Sequence, residues 1–184
     1  KYSLPIRIAI AKVFGPGEIK DIVEVFKKSN FELKLFSASQ AKNLEFSKLF
    51  LNLIGMEAAS RGFSIEEGFK NKEIFKEEVE ALKEYIKVIK TSGGRFLNFP
   101  RYPVKILAIL VSWLPVVFLS VLRNILAGLI SEGRSGKPKD LDEIDYYNGA
   151  VVNLGKKIGV ETPINEKIYQ RALEKLSTSG RTPI

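Results

Sequence analysis

Lys48 and Asn52 stand four residues apart in Phe46 to Leu53 (FSKLFLNL), with Leu49, Phe50, Leu51 and Leu53 around them. On a helix that spacing puts the two polar side chains on one face. Apolar surroundings push an ammonium toward its neutral form and a carboxylate partner restores its charge, so a lysine balanced this way can serve as a proton donor. The competing reading is a lysine that snorkels to solvent, with Asn52 paired to backbone. A second polar group, Glu143, Asp145 and Asn148, lies in Leu141 to Gly149 (LDEIDYYNG). Acidic residues near a helix start also arise from the helix dipole, which would account for Asp142 and Glu143 without any function. Gly15-Pro16-Gly17 precedes a helical pattern, but the Gly-x-Gly-x-x-Gly phosphate motif is not met because Lys20 stands where the third glycine belongs.

The residue types that are absent narrow the chemistry further. The 184 residues include no Cys and no His, which removes Ser/His/Asp triads, thiol nucleophiles and Cys- or His-ligated zinc. Acid–base work is left to carboxylates, Lys and Tyr. The formal charge of +8 fits anionic partners in general. The basic residues, however, are interleaved with acids, as in Lys70 to Lys90, and no arginine-rich or aromatic-plus-basic platform points to nucleic acid. The chain opens on Lys1 with no signal peptide, so the expectation is a fragment or trimmed product of a cytoplasmic protein.

These groups must be held by a mainly helical fold. Residues 6–14 alternate like a strand, 18–29 show helical spacing and 31–36 alternate again, a strand-helix-strand too small to bury a sheet by itself. Helices are expected at about Asn43 to Arg61, Asn71 to Thr91, Val104 to Ile130, Leu141 to Ile158 and Asn165 to Leu176. Ser64 with Glu67 forms a capping box, and glycines at 93, 94 and 159 end helices. The expected division is 1–42 as the end of an α/β unit, 43–178 as a helical domain and 179–184 as a tail, with fraying from Ser177. Ile106 to Leu122 carries no charge over seventeen residues and contains Pro115. The expectation is a helix buried on all sides in the bundle or in a dimer interface, with a membrane span as the other reading.

Gly136-Lys137-Pro138, then Asp142 to Val152 (DEIDYYNGAVV), then Gly159 to Asn165 (GVETPIN) resemble the closing signature of ketopantoate reductases. Lys48 with Asn52 is similar to that family's Lys-x-x-x-Asn motif. The resemblance implies the helical bundle of the ketopantoate reductase and 6-phosphogluconate dehydrogenase C-terminal type, preceded by a strand-helix-strand remnant of a nucleotide-binding domain. It also implies NADPH- or NADH-dependent reduction of a 2-oxoacid, 2-dehydropantoate to pantoate on the way to coenzyme A; the long apolar helix adds the expectation of a homodimer, and composition and run length that of no nucleic-acid or membrane partner. Lys48 would protonate the nascent alkoxide, Glu143 would contact substrate hydroxyls and position that lysine, and Asn52 and Ser131 would hold the substrate's polar end. Where the family continues with a second Asn, Met56 stands here, and an unpaired substrate group facing it would cost roughly 1 to 3 kcal/mol. The glycine-bearing nucleotide unit is not among these residues, so a nucleotide-binding domain on the same or a separate chain is expected. The alternative is a non-catalytic dimerising or membrane-associated protein that keeps the scaffold.

Overall fold

The computed structural model describes residues 6–13, 19–100, 102–131 and 136–183, with backbone alone for 125–131. Two parallel strands, β1 (Arg7–Ala11) and β2 (Glu32–Phe36), pair from Arg7↔Glu32 to Ala11↔Phe36 around helix α1 (Lys20–Lys28). Both strands fall inside the alternating runs, and among the described residues the named elements after them are all helices, which is the fold class expected from the sequence. Arg7 pairs with Glu32 at 2.6 Å across the ladder, and the Lys34 ammonium donates to the Asn98 carbonyl at 2.7 Å, tying β2 to a loop of the helical part.

The helices are α2 (Ala41–Leu53), α3 (Met56–Ser60), α4 (Ile65–Lys70), α5 (Lys72–Thr91), α6 (Val104–Trp113), α7 (Val116–Ser131), α8 (Asn148–Ile158) and α9 (Pro163–Thr178). Helix α5 is the axis of the bundle, and α2, α3, α4, α6, α7, α8 and α9 all pack against it. Its apolar stripe at helical spacing supplies Tyr85, Ile86, Val88 and Ile89, each at most 2% exposed, to the main core. The Tyr85 hydroxyl finds its partner in the Phe46 carbonyl at 2.8 Å, which satisfies a polar atom inside that core and ties α2 to α5. The Ser64–Glu67 capping box is present, and Gly159 ends α8 in the left-handed region at φ +72°.

Four expectations need correction. The helix expected over Asn43 to Arg61 is broken at Ile54-Gly55: Gly55 has φ +88°, and a Cβ there would lie 2.3 Å from the Ile65 side chain, so α3 departs in a new direction. The helix expected from Leu141 begins at Asn148, because Tyr147 is not helical (φ −103°, ψ −97°) and Ile144–Tyr146 form a single 3-10 turn. The tail expected to fray from Ser177 stays helical to Thr178, and the Arg181 guanidinium binds Asp140 at 2.8 Å and also Asp142. Finally, the apolar run 106–122 is two helices broken at Leu114-Pro115, and it is not buried in the bundle, since Trp113, Val117 and Val121 are 76–80% exposed. Among the described residues no helix is long and apolar enough to cross a membrane.

Any side chain at position 55 meets both an unfavourable backbone region and Ile65. Gly55→Ala should therefore destabilise the fold by on the order of 2 to 3 kcal/mol, measured by urea denaturation.

Candidate functional site

A groove of about 990 Å³ opens between β1, the outer face of α2, the Phe99–Tyr102 turn and the start of α8. Helix α2 turns Phe50 and Leu53 into the core (1% and 3% exposed), and the same helical period leaves Lys48 and Asn52 on the groove wall. The rest of the wall is mostly apolar and aromatic, with Leu44, Leu49, Tyr102 and Tyr147 among its members. Lys48 is exposed, not enclosed by its apolar neighbours. It makes no hydrogen bond or ion pair among the described residues, which leaves its ammonium available to a ligand. Asn52 is half-buried.

What fixes this wall is the end of α2. The Lys139 ammonium reaches back to the carbonyl of Asn52 and, at 3.3 Å, to that of Ile54, two acceptors that the helix end leaves without intrahelical donors. Lys139 also lies over the Tyr147 ring, 5.4 Å from its centroid. Tyr147 in turn donates its hydroxyl to the Glu143 carboxylate. The two polar groups that sequence spacing picked out separately are therefore joined through Lys139 and Tyr147. Glu143 is exposed and does not line the groove, and no hydrogen bond joins it to Lys48. The helix-dipole reading of the acids also lapses: Asp142 binds Arg181, Asp145 accepts from the Tyr169 hydroxyl at 2.7 Å, and no α-helix starts there.

Beyond the break, Glu78 of α5 accepts the backbone N–H groups of Gly55 (2.6 Å) and Glu57 (3.1 Å). Burial pushes its carboxyl up to about 7, against the pull of those N–H groups and of Lys139. Met56, expected to face substrate, is 1% exposed and packs with Ala59, Ile144 and Ile168, because the Gly55 break turns it into the core. Ser131 closes α7, and its side chain lies outside the described residues, as does Gly15-Pro16-Gly17. Among the described residues no cluster of acids could hold a metal ion.

Other signature residues join helices of the bundle. Glu84 of α5 accepts the backbone N–H groups of Ile164 and Asn165, both at 2.9 Å, at the start of α9, where Pro163 occupies the first turn. The Asn165 amide donates to Glu84 and to the Ala81 carbonyl and accepts from Asn148 at 3.0 Å, so α5, α8 and α9 meet in one polar knot.

Residues 139–175 match the family described as "Ketopantoate reductase PanE/ApbA C terminal". Those residues are similar to the C-terminal segment of ketopantoate reductases. They hold Lys139, Glu143, Tyr147 and Asn165, whereas Lys48 and Asn52 lie outside the match. A 2-dehydropantoate 2-reductase from Pyrobaculum aerophilum is 50% identical over 40 residues, which span 21% of this chain and 14% of that protein. Among solved structures, a ternary complex of D-mandelate dehydrogenase with NADH and anilino(oxo)acetate shares the fold, with a TM-score of 0.55 and 16% identity over 96% of this chain and 89% of that one.

Glu78 makes the α2 end pH-sensitive. Its folded value lies above the ordinary 4.5, so its contribution to stability is complete below pH 4.5 and is lost as pH rises to about 7. Relative to Glu78→Gln, the native chain should lose about 3 kcal/mol of stability between pH 4 and pH 8, read from urea melts across that range. A difference that does not vary with pH would contradict this assignment.

Proposed function

We propose that this chain is the substrate-side half of an NADH- or NADPH-dependent reductase of a 2-oxoacid, with 2-dehydropantoate as the substrate. The observation that carries the reading is the pairing of Lys48 and Asn52 on one groove wall, bound through Lys139 and Tyr147 to the ketopantoate reductase segment.

The residues present suit the nicotinamide end of the donor, since Ile6, Ile8, Leu44 and Leu49 offer flat apolar surface beside Lys48. Ile6, Leu44 and Leu49 would hold that ring, and a nucleotide-binding domain on the same or a separate chain would hold the phosphates. When bound, the reduced nicotinamide supplies a hydride to the carbonyl carbon. As that bond forms, negative charge gathers on the carbonyl oxygen; the Lys48 ammonium stabilises it and passes a proton to it, giving the 2-hydroxyacid. Exposure to solvent lets the resulting amine regain its proton. Asn52 would hold the substrate's polar end, while Glu143, which lies outside the groove lining, would act on the site only through the Tyr147 hydroxyl that it accepts. The aromatic wall of Phe99, Tyr102 and Tyr146 supports a second reading, a bulkier aromatic 2-oxoacid; the ratio of kcat/KM for 2-dehydropantoate and phenylglyoxylate decides between them.

In the complete enzyme, Lys48→Ala should lower kcat by about 10²- to 10⁴-fold with a much smaller change in KM, and Asn52→Ala should raise KM by about tenfold. Steady-state kinetics with 2-dehydropantoate checks both, and undiminished turnover in Lys48→Ala would remove the assignment.

A further inference from the structure

Helices α6 and α7 invert the usual surface pattern. Their inner faces reach the core through Val104, Ala108 and Leu119, at most 7% exposed. Their outer faces are also apolar: Ile106, Ile109, Leu110 and Trp113 recur at helical spacing along α6 and are 44–80% exposed. Val117, Phe118, Val121 and Leu122 repeat the spacing on α7 and are 44–76% exposed. Trp113 and Phe118 alone present on the order of 300 Å², given the ~150 to 250 Å² such side chains carry. With six aliphatic neighbours, the patch exceeds the ~300 to 600 Å² that is usual for the largest patch on a monomer.

The stretch that builds this plateau carries charge of one sign, the neighbouring acids Glu66 and Glu67 lying on α4, which packs on α7. From Tyr85 to Ser131 the sequence holds no Asp or Glu, yet it holds Lys87, Lys90, Arg95, Arg101, Lys105 and Arg123. Several cations are anchored along the border by uncharged partners. Lys90 donates to the Ser112 hydroxyl and Lys83 to the Leu114 carbonyl, both at 2.9 Å, and Arg123 donates to the Ser120 carbonyl at 2.9 Å. A second copy seated by two-fold symmetry would bring this cationic border against itself, with no acid from either stretch to answer it.

We propose that this face seats the protein on an anionic lipid surface. The apolar residues enter the boundary between headgroups and acyl chains, Trp113 lies at that interface, and the bordering cations meet lipid phosphates. The proposal needs no span, and among the described residues no helix is long and apolar enough to cross a bilayer. The groove draws no residue from α6 or α7, so the proposal stands apart from the reductase reading.

Flotation of the full chain with vesicles of phosphatidylcholine, alone or mixed with phosphatidylglycerol, tests it, alongside sedimentation velocity without lipid. The expected result is binding to the mixed vesicles that weakens as salt is raised and is lost in Trp113→Glu/Val117→Glu, whose circular dichroism stays native because both side chains are exposed. Lys87→Gln and Lys90→Gln, which leave the apolar face intact, should each weaken binding about fivefold. Failure to float, flotation that the Glu substitutions leave unchanged, or a lipid-free dimer that they convert to monomer would each overturn the proposal, the last in favour of a second copy.

Discussion

The site depends on how α2 is stopped. A helix end leaves carbonyls without donors, and a helix restarting two residues later leaves N–H groups without acceptors. At Ile54-Gly55 both sets are met from outside: Lys139 takes the carbonyls of Asn52 and Ile54, and Glu78 takes the N–H groups of Gly55 and Glu57. The break keeps Lys48 and Asn52 on the groove wall while Met56 turns inward. It also ties down the segment that carries Tyr147 and Glu143, because the cation that closes α2 is the one that meets the Tyr147 ring.

Buried charge elsewhere follows the same rule of complete pairing. Glu57, fully buried, is met by Arg61 and by Arg171, the latter at 2.7 and 2.8 Å from its two oxygens. Arg61 and Lys167 extend the network to Glu77 at 2.8 and 2.7 Å, joining α3, α5 and α9. Removing one member would leave an uncompensated buried charge, which costs far more than the intact cluster contributes. These contacts, with the Glu84–Asn165–Asn148 knot, hold in place the helices on which the groove is built. Much of the signature stretch therefore holds the helices together.

Local pattern made a good part of this legible. The four-residue spacing of Lys48 and Asn52, the Ser64–Glu67 cap and the long stripe of α5 are periodic or short-range signals, and each lies where the sequence puts it. Lys139 carried no such signal, since its partners are carbonyls 87 and 85 residues away. The Gly55 break was hidden inside an apolar helical pattern, because its need for a glycine comes from Ile65 across the loop. Ile106 to Leu122 misled for another reason: a run that is apolar all round reads the same whether its outer face meets protein or lies open.

The molecule thus presents a polar-ended groove on one set of elements and an apolar, cation-bordered plateau on another. The central claim concerns the groove. Titrating the chain with oxamate, an unreactive 2-oxoacid mimic, while following side-chain resonances by NMR tests it most directly. Lys48, Asn52 and Tyr147 should shift together and saturate, while Ile109 and Val117 on the plateau stay still. Saturation that leaves Lys48 and Asn52 unmoved would contradict the account.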